Sequence, residues 1–277
     1  MTKEKKKRKL FCQISPLTYE ISKKRCCVNR DISDFFSRSR FAKTKSEEPL
    51  PVSVIKHKSL IRRKLGNVRM DLQENKAVNL SIAAPKVNGI LIKPGETFSF
   101  WRLVGDATAE KGYLNGVVIS SGKVLEGIGG GMCQFTNLIH WMILHTPMKI
   151  TEHHHHDSMD LFPDFNRQIP FGTGTSIMYN YLDYRFCNTT DNTYQLLCYT
   201  TDTYLCGELR AVKPQDYVYH IFTEGERFEE EDGVVYRLGR VYRKTVDRVT
   251  GNTVEQTLVR DNRAKVMYDL KYTTLNK

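Results

Sequence analysis

One cysteine follows three consecutive glycines near the middle of the 277-residue chain, in the segment Gly129–Gln134. Glycine costs backbone entropy, so the tripeptide indicates a need for positive φ or for a close backbone approach. Apolar residues then recur at helical spacing from Phe135 to Ile143, and Pro147 ends the pattern. We therefore predict a helix over residues 133–146 that carries Cys133 in its first turn.

A thiol in the first turn of a helix faces unpaired N–H groups and the positive end of the helix dipole, which both favour an anion. Such surroundings lower a cysteine pKa from about 8.5 to between about 3.5 and 7.5. Cys133 is therefore our candidate nucleophile. The alternative interpretation is a small buried residue at a tight strand-to-helix turn.

A cysteine nucleophile needs a base within hydrogen-bond reach, and four consecutive histidines begin 20 residues after Cys133. Successive side chains of an extended segment point to opposite sides. His154 and His156 would then point one way, and His153 and His155 the other. Only one of these pairs can face the cysteine.

Other charged residues lie close to the histidines in sequence. Asp157 and Asp164 offer carboxylates for orienting a histidine, and Arg167 can hold a substrate carboxylate through a bidentate contact. The alternative for each is a surface charge on a loop. His140 lies on the predicted helix, about 10 Å along the axis from Cys133, so it is a poor direct base.

Clustered histidines also bind transition metals, and zinc at the His153–His156 run is the alternative that this composition leaves open. The run lacks a second set of ligands at fixed spacing. We therefore predict no cofactor and assign the histidines to acid–base chemistry.

The net charge of +11 is distributed unevenly. Residues 1–76 contain 21 Lys and Arg against 8 Asp and Glu, a net +13, whereas residues 77–277 carry −2. The Lys5–Lys9 run has no fold that would make it a specific nucleic-acid reader. We predict a solvated arm with weak contact to a membrane surface. Leu10–Pro16 is too short and polar for a secretion signal, which predicts a cytoplasmic protein.

The remaining patterns predict an α+β fold with a β-rich core and one central helix that carries the cysteine at its N-terminus. We divide the chain into a basic, partly ordered arm (1–58), a core domain (59–212) and a small C-terminal antiparallel β extension (213–277). Within these we predict a short helix over Ile32–Phe41, a helix that Pro85 ends, and a strand over Ile177–Phe186.

Four ordered motifs resemble the VanW family, which accompanies some vancomycin-resistance clusters. They are Asn88–Trp101, Gly129–Gln134, His155–Asp157 and Leu161–Asp164. The resemblance extends from about Leu72 to Arg210. It implies a role in peptidoglycan metabolism and glycopeptide resistance, with a stem peptide or its precursor as the partner.

Some secreted members of the family look like L,D-transpeptidases. By that likeness Cys133 would attack the carbonyl before a terminal D-alanine and hold the stem peptide as a thioester. A histidine among His154, His155 and His156, together with Asp157, would take the thiol proton and later activate the acceptor amine.

The same likeness places substrate contacts at Gly130, Gly131 and Gln134, where backbone N–H groups would stabilise the oxyanion, and at Asp164 and Arg167. The chain departs from those secreted members because no export segment is visible, which leaves soluble or lipid-linked precursors as substrates. A peptidase is a related reaction. The alternative is a non-catalytic module that binds precursor peptides or a partner protein.

Overall fold

A computed structural model describes residues 10–63, 69–120, 123–155, 159–161, 163 and 169–270. Within these ranges the α-helices are α1 (Pro16–Phe36), α2 (Met70–Val87), α3 (Phe100–Val104) and α4 (Met132–Leu144). Short 3-10 helices span Phe11–Gln13 and Ala109–Lys111.

The strands of the described ranges form three four-stranded sheets and one hairpin. In chain order they are β1 (Arg40–Phe41), β2 (Val52–Leu60), β3 (Ile90–Ile92), β4 (Glu96–Ser99), β5 (Asn115–Ser120), β6 (Lys123–Ile128), β7 (Lys149–Glu152), β8 (Met159–Asp160), β9 (Arg185–Cys187), β10 (Tyr194–Thr200), β11 (Tyr204–Ala211), β12 (Tyr217–Glu231), β13 (Val234–Asp247) and β14 (Thr253–Val266). The sheet orders are β1-β4-β9-β7, β2-β11-β10-β3 and β12-β13-β14-β8, and β5 pairs with β6. The predicted α+β class is confirmed.

The core lies around α4, whose apolar side packs against β2 and β11. Phe135, Leu138 and Ile139 are fully buried there. Gly207 on β11 allows this approach, because a Cβ would lie 2.7 Å from Cε of Met142. Helix α4, which carries the cysteine, is therefore packed tightly on the sheet β2-β11-β10-β3, which we call the central sheet.

The C-terminal sheet holds the segment that follows the histidines. Its strand β14 pairs in parallel with β8, which forms one edge of the sheet. Asp160 of β8 accepts hydrogen bonds from Arg237 at 3.2 Å and from the hydroxyl of Tyr268 at 2.6 Å. Strand β7 belongs to another sheet. His153–His155, which we call the histidine segment, therefore follow a strand of one sheet and precede a strand of the other.

The N-terminal arm differs from the prediction. The predicted helix over Ile32–Phe41 is wrong, because α1 is 21 residues long and ends at Phe36. Ser15 caps it by accepting the N–H of Thr18, and Pro16 occupies its first position. Strand β2 pairs with β11 from Val52 to Leu60, so all of it belongs to the central sheet. It therefore crosses the boundary between arm and core domain that we predicted at residue 58.

Two other predicted elements have different limits. Helix α2 continues past Pro85 to Val87. Proline removes one backbone hydrogen bond, and the carbonyl that loses its partner belongs to Ser81, an exposed residue that water can reach. The strand over Ile177–Phe186 is also wrong in extent. A turn that includes Asn180 at φ 47° occupies its first part, and β9 begins only at Arg185.

Candidate functional site

Cys133 is the second residue of α4, as the sequence predicts. Gly131 stands at the N-cap with φ 105°, a left-handed conformation that favours glycine. Cys133 is half-buried as a residue, and its thiol accepts a hydrogen bond from the backbone N–H of Ile177. The backbone N–H of Cys133 itself, in the first turn of the helix, also lies against the sulfur.

The glycines before the cysteine are needed for close packing. A Cβ on Gly130 would lie 2.7 Å from the backbone nitrogen of Val117 and nearer still to Gly116. Asn79 of α2 donates 2.9 Å hydrogen bonds to the carbonyls of Gly130 and Leu114. The tripeptide is therefore fixed between α2 and the β5–β6 hairpin.

Lys76 of α2 lies across Gly131, where a Cβ would be 3.0 Å from the lysine Cδ. Burial lowers the pKa of Lys76 to about 7, with further contributions from the charges of Arg63 and Arg62. A fraction of this amine is therefore neutral near pH 7. The sequence does not reveal this amine, because a lysine at an ordinary helix position carries no pattern.

The pKa of the Cys133 thiol is raised, whereas we expected it to be lowered. Burial is the largest cause, and the backbone N–H groups of Ile177 and of Cys133 itself act in the opposite direction without compensating for it. In the resting protein the sulfur is therefore a neutral thiol at pH 7. Reaction would require a base to remove the proton as the sulfur attacks.

A loop over residues 173–177 lies on the first turns of α4, next to the thiol. Asn137 accepts hydrogen bonds from the backbone N–H of Thr175 at 2.6 Å and from its hydroxyl at 2.8 Å. The Thr175 hydroxyl is also 2.5 Å from that of Thr136, and both threonines are buried. These contacts hold Ile177 against the sulfur of Cys133.

The same loop borders the histidines on its other side. His153 Nε2 donates to the carbonyl of Gly174 at 3.1 Å, and the N–H of Ser176 donates to the carbonyl of His154 at 2.7 Å. In neutral His153 this bond leaves Nδ1 as the basic nitrogen. The loop therefore connects the thiol of Cys133 to the histidine segment.

The histidines alternate as expected for an extended segment. The rings of His153 and His155 lie 3.9 Å apart, and His153 lies 4.1 Å from His140 on α4. His140 is buried and its Nδ1 is 3.0 Å from the Tyr184 hydroxyl. Burial and the neighbouring histidines hold the pKa of His140 well below its usual value, so this imidazole stays neutral.

His154 points to the opposite side, where its Nε2 donates to Glu152 at 2.9 Å. Glu152 also accepts two hydrogen bonds from Arg30 of α1 at 2.5 and 2.7 Å. Burial raises the pKa of Glu152, but the bonds from Arg30, the Asp183 N–H and His154 outweigh it and the net shift is downward. His154 and Glu152 therefore lie at the surface that contacts α1.

The other predicted site residues have different placements. Gln134 directs its amide nitrogen to Ser59 at 2.8 Å and to the carbonyl of Leu60 at 2.9 Å, which ties α4 to β2. The predicted residues that lie outside the described ranges are His156, Asp157, Asp164 and Arg167.

Two general features of the described chain also bear on function. Within it, no group of three or more His, Cys, Asp or Glu side chains is arranged to hold a metal ion. None of its helices is long and apolar enough to cross a membrane.

Comparison with known proteins identifies the family. The family model "VanW like protein" matches residues 75–210. The "Vancomycin B-type resistance protein VanW" of Enterococcus faecalis is 35% identical over 230 residues, which cover 83% of each chain. The chain belongs to the VanW family. The "Uncharacterized protein YoaR" of Bacillus subtilis is 28% identical over 118 residues, 42% of this chain and 36% of its own length. No solved structure matches.

The VanW match includes the residues that build the site around the thiol. Within it lie α2 from Asn75 onward, the glycine tripeptide, Cys133, the histidine segment and the loop over residues 173–177. Residue type and spacing identify the cysteine and the histidines in the sequence. They do not identify Asn79 or Thr175, since neither has a local pattern that reveals its partner far along the chain.

Proposed function

We propose that this VanW family member is a cysteine-dependent acyl transferase that acts on a peptidoglycan stem peptide or its precursor in glycopeptide resistance. The observation that carries the proposal is the arrangement around one loop. Residues 173–177 place a backbone N–H on the Cys133 thiol and bind the histidine segment through Gly174 and Ser176. The name of the Enterococcus faecalis relative supports the link to resistance.

In the proposed reaction the Cys133 sulfur attacks the carbonyl carbon that precedes a terminal D-alanine. His153 takes the thiol proton and donates it to the departing amine, so the C–N bond breaks as the C–S bond forms. N–H groups in the first turn of α4 stabilise the oxyanion. An acceptor amine then attacks the thioester, loses a proton to the imidazole, and regenerates the thiol.

His153 is the preferred base because it contacts the loop that covers the thiol, whereas His154 is directed to Glu152. The raised pKa of Cys133 makes a base necessary, because little thiolate exists before the substrate binds. This assignment adds His153 to the histidines that we selected from the sequence.

Intact-protein mass spectrometry with a synthetic stem pentapeptide tests the proposal. We expect Cys133 to gain the mass of the pentapeptide minus that of free D-alanine, and Cys133→Ala to gain none. His153→Gln should slow adduct formation by about 10²- to 10⁴-fold, with His154→Gln as the matched control. Undiminished turnover by Cys133→Ala would contradict the proposal.

A non-catalytic peptide-binding module is the second candidate. It is favoured by the neutral thiol of Cys133 and by the neutral, buried His140 beside the histidine segment. This candidate predicts saturable binding of the same pentapeptide, measured by calorimetry, with equal affinity in Cys133→Ser and no covalent adduct in either protein.

A further inference from the structure

Helix α1 presents an apolar stripe to solvent. Leu17, Ile21, Val28, Ile32 and Phe35 fall within an arc of about 60° at 100° per residue. All five are exposed, Leu17 by 70% and Phe35 by 83%, and α1 buries none of its residues. An apolar stripe this long on a surface helix indicates a binding surface.

The opposite side of α1 docks on the core through polar groups. Asp34 accepts two hydrogen bonds from Arg185 at 2.6 and 2.8 Å, and Arg30 pairs with Glu152. Asp31 accepts a 2.8 Å hydrogen bond from Asn180. This orientation is the reverse of the usual one, in which a surface helix turns its apolar side to the core. The ion pairs therefore hold the stripe outward.

Two basic residues flank the stripe. The exposed Lys24 and Arg25 flank it on either side of the helix. The Lys5–Lys9 run precedes the helix in sequence, and residues 1–76 carry a net +13. Two copies of so basic a surface repel each other, whereas anionic lipid neutralises it.

We infer that α1 is an interfacial helix that docks the protein on an anionic lipid bilayer. The apolar stripe lies in the boundary between headgroups and acyl chains, and the flanking basic residues contact lipid phosphates. This binding mode requires no membrane-spanning helix. It does not depend on the proposed acyl transfer.

The docked side of α1 connects this surface to the candidate site. Cys27 donates to the carbonyl of Tyr179 at 3.5 Å, and Asn180 binds Asp31. These residues follow Ile177, whose N–H reaches the thiol of Cys133. A bilayer beneath α1 would therefore place the site close to the lipid surface.

Vesicle co-sedimentation of the full chain tests this inference. We expect binding to vesicles of phosphatidylcholine mixed with phosphatidylglycerol, little binding to phosphatidylcholine alone, and weakening with added salt. The triple variant Val28→Gln, Ile32→Gln, Phe35→Gln should lower the partition coefficient at least about tenfold. The matched control is Val249→Gln with Val254→Gln, which changes valines that are 93% and 58% exposed, one in the β13–β14 turn and the other on β14.

Two further measurements separate the alternatives. Phe35→Trp in the otherwise unchanged chain should show a blue-shifted emission on adding anionic vesicles, and Cys133→Ala should bind them as the wild type does. Unshifted emission at saturating lipid, or equal binding by the triple variant, would overturn the inference. So would a dimer that the triple variant dissociates while vesicle binding is unchanged, because the stripe would then be a self-association surface.

Discussion

At the residue scale, the amine of Lys76 is the least expected feature near the candidate nucleophile. Its folded pKa of about 7 lies below the ordinary lysine value of 10.5 because the amine is buried beside Arg63 and Arg62. Below pH 7 the amine is charged in both states, and burying this charge lowers the free energy of unfolding. Between pH 7 and 10.5 the amine is protonated in the unfolded chain but neutral in the folded protein. The destabilisation that Lys76 causes therefore declines as pH rises.

Lys76→Met should therefore raise the free energy of unfolding most near pH 6–7, with the gain shrinking toward pH 10. Urea denaturation of both proteins across this range measures the difference. Lys93→Met, which changes an exposed lysine in a turn, is the control and should show no such trend. A gain that grows with pH would contradict the assigned burial of the amine.

The sequence predicted some of these residue-level properties and missed others for a physical reason. Residue type and helical spacing placed Cys133 in the first turn of a helix, and the structure confirms that position. The direction of its pKa shift was wrong, because the thiol is buried beside Ile177 and the Cys133 carbonyl accepts from Thr175, and both residues lie more than 40 positions later in the chain. Local sequence indicates the dipole at a helix start but not what covers it.

At the element scale, the contact between the glycine tripeptide and the β5–β6 hairpin determines where α4 begins. Gly130 does not have positive φ, so its requirement for glycine is steric. A methyl group there would overlap the backbone of Gly116, which cannot move without shifting the hairpin.

Gly130→Ala should lower the free energy of unfolding by about 1–3 kcal/mol, the usual range for overpacking. Gly174→Ala is the matched control, because its Cβ would lie 3.9 Å from Asn137 Oδ1 and meet no closer atom outside its chain neighbours. We expect that change to stay within about 0.5 kcal/mol. Equal unfolding midpoints for the two variants in urea would show that the β5–β6 hairpin moves to accommodate the added methyl group.

Elements with strong local patterns were predicted well. Apolar residues at helical spacing predicted a helix over residues 133–146, and α4 spans Met132–Leu144. The alternation over Ile177–Phe186 was misleading, because that segment bends at Asn180 to contact α1. Helix α1 itself was missed, since its docking depends on ion pairs with residues more than 100 positions away.

At the scale of the whole molecule, α1 is held on the core by a network of buried charges. Arg185 donates to Asp34 through both terminal nitrogens and to Asp183 through Nε at 2.7 Å. Burial raises the pKa of Asp34, but the hydrogen bonds and charges of Arg185 and Arg102 outweigh it and lower the pKa overall. A carboxylate with a lowered pKa contributes stability that is complete above its unfolded pKa and is lost as pH falls through its folded pKa.

Asp34→Ala should therefore release α1, because it leaves the guanidinium of Arg185 buried with only part of its partners. Removing one member of a buried pair costs about 3–5 kcal/mol, and we expect most of this loss to appear as faster hydrogen exchange in residues 16–36. Glu20→Ala is the control, because it removes an exposed pair with Lys23 on the same helix and should change exchange little. Lowering the pH through the folded pKa of Asp34, which lies below the ordinary aspartate value of 3.8, should reproduce the exchange of Asp34→Ala in the wild type, since protonation of Asp34 removes the same interaction. Exchange in α1 that is unchanged by both treatments would mean that contacts other than this network hold the helix.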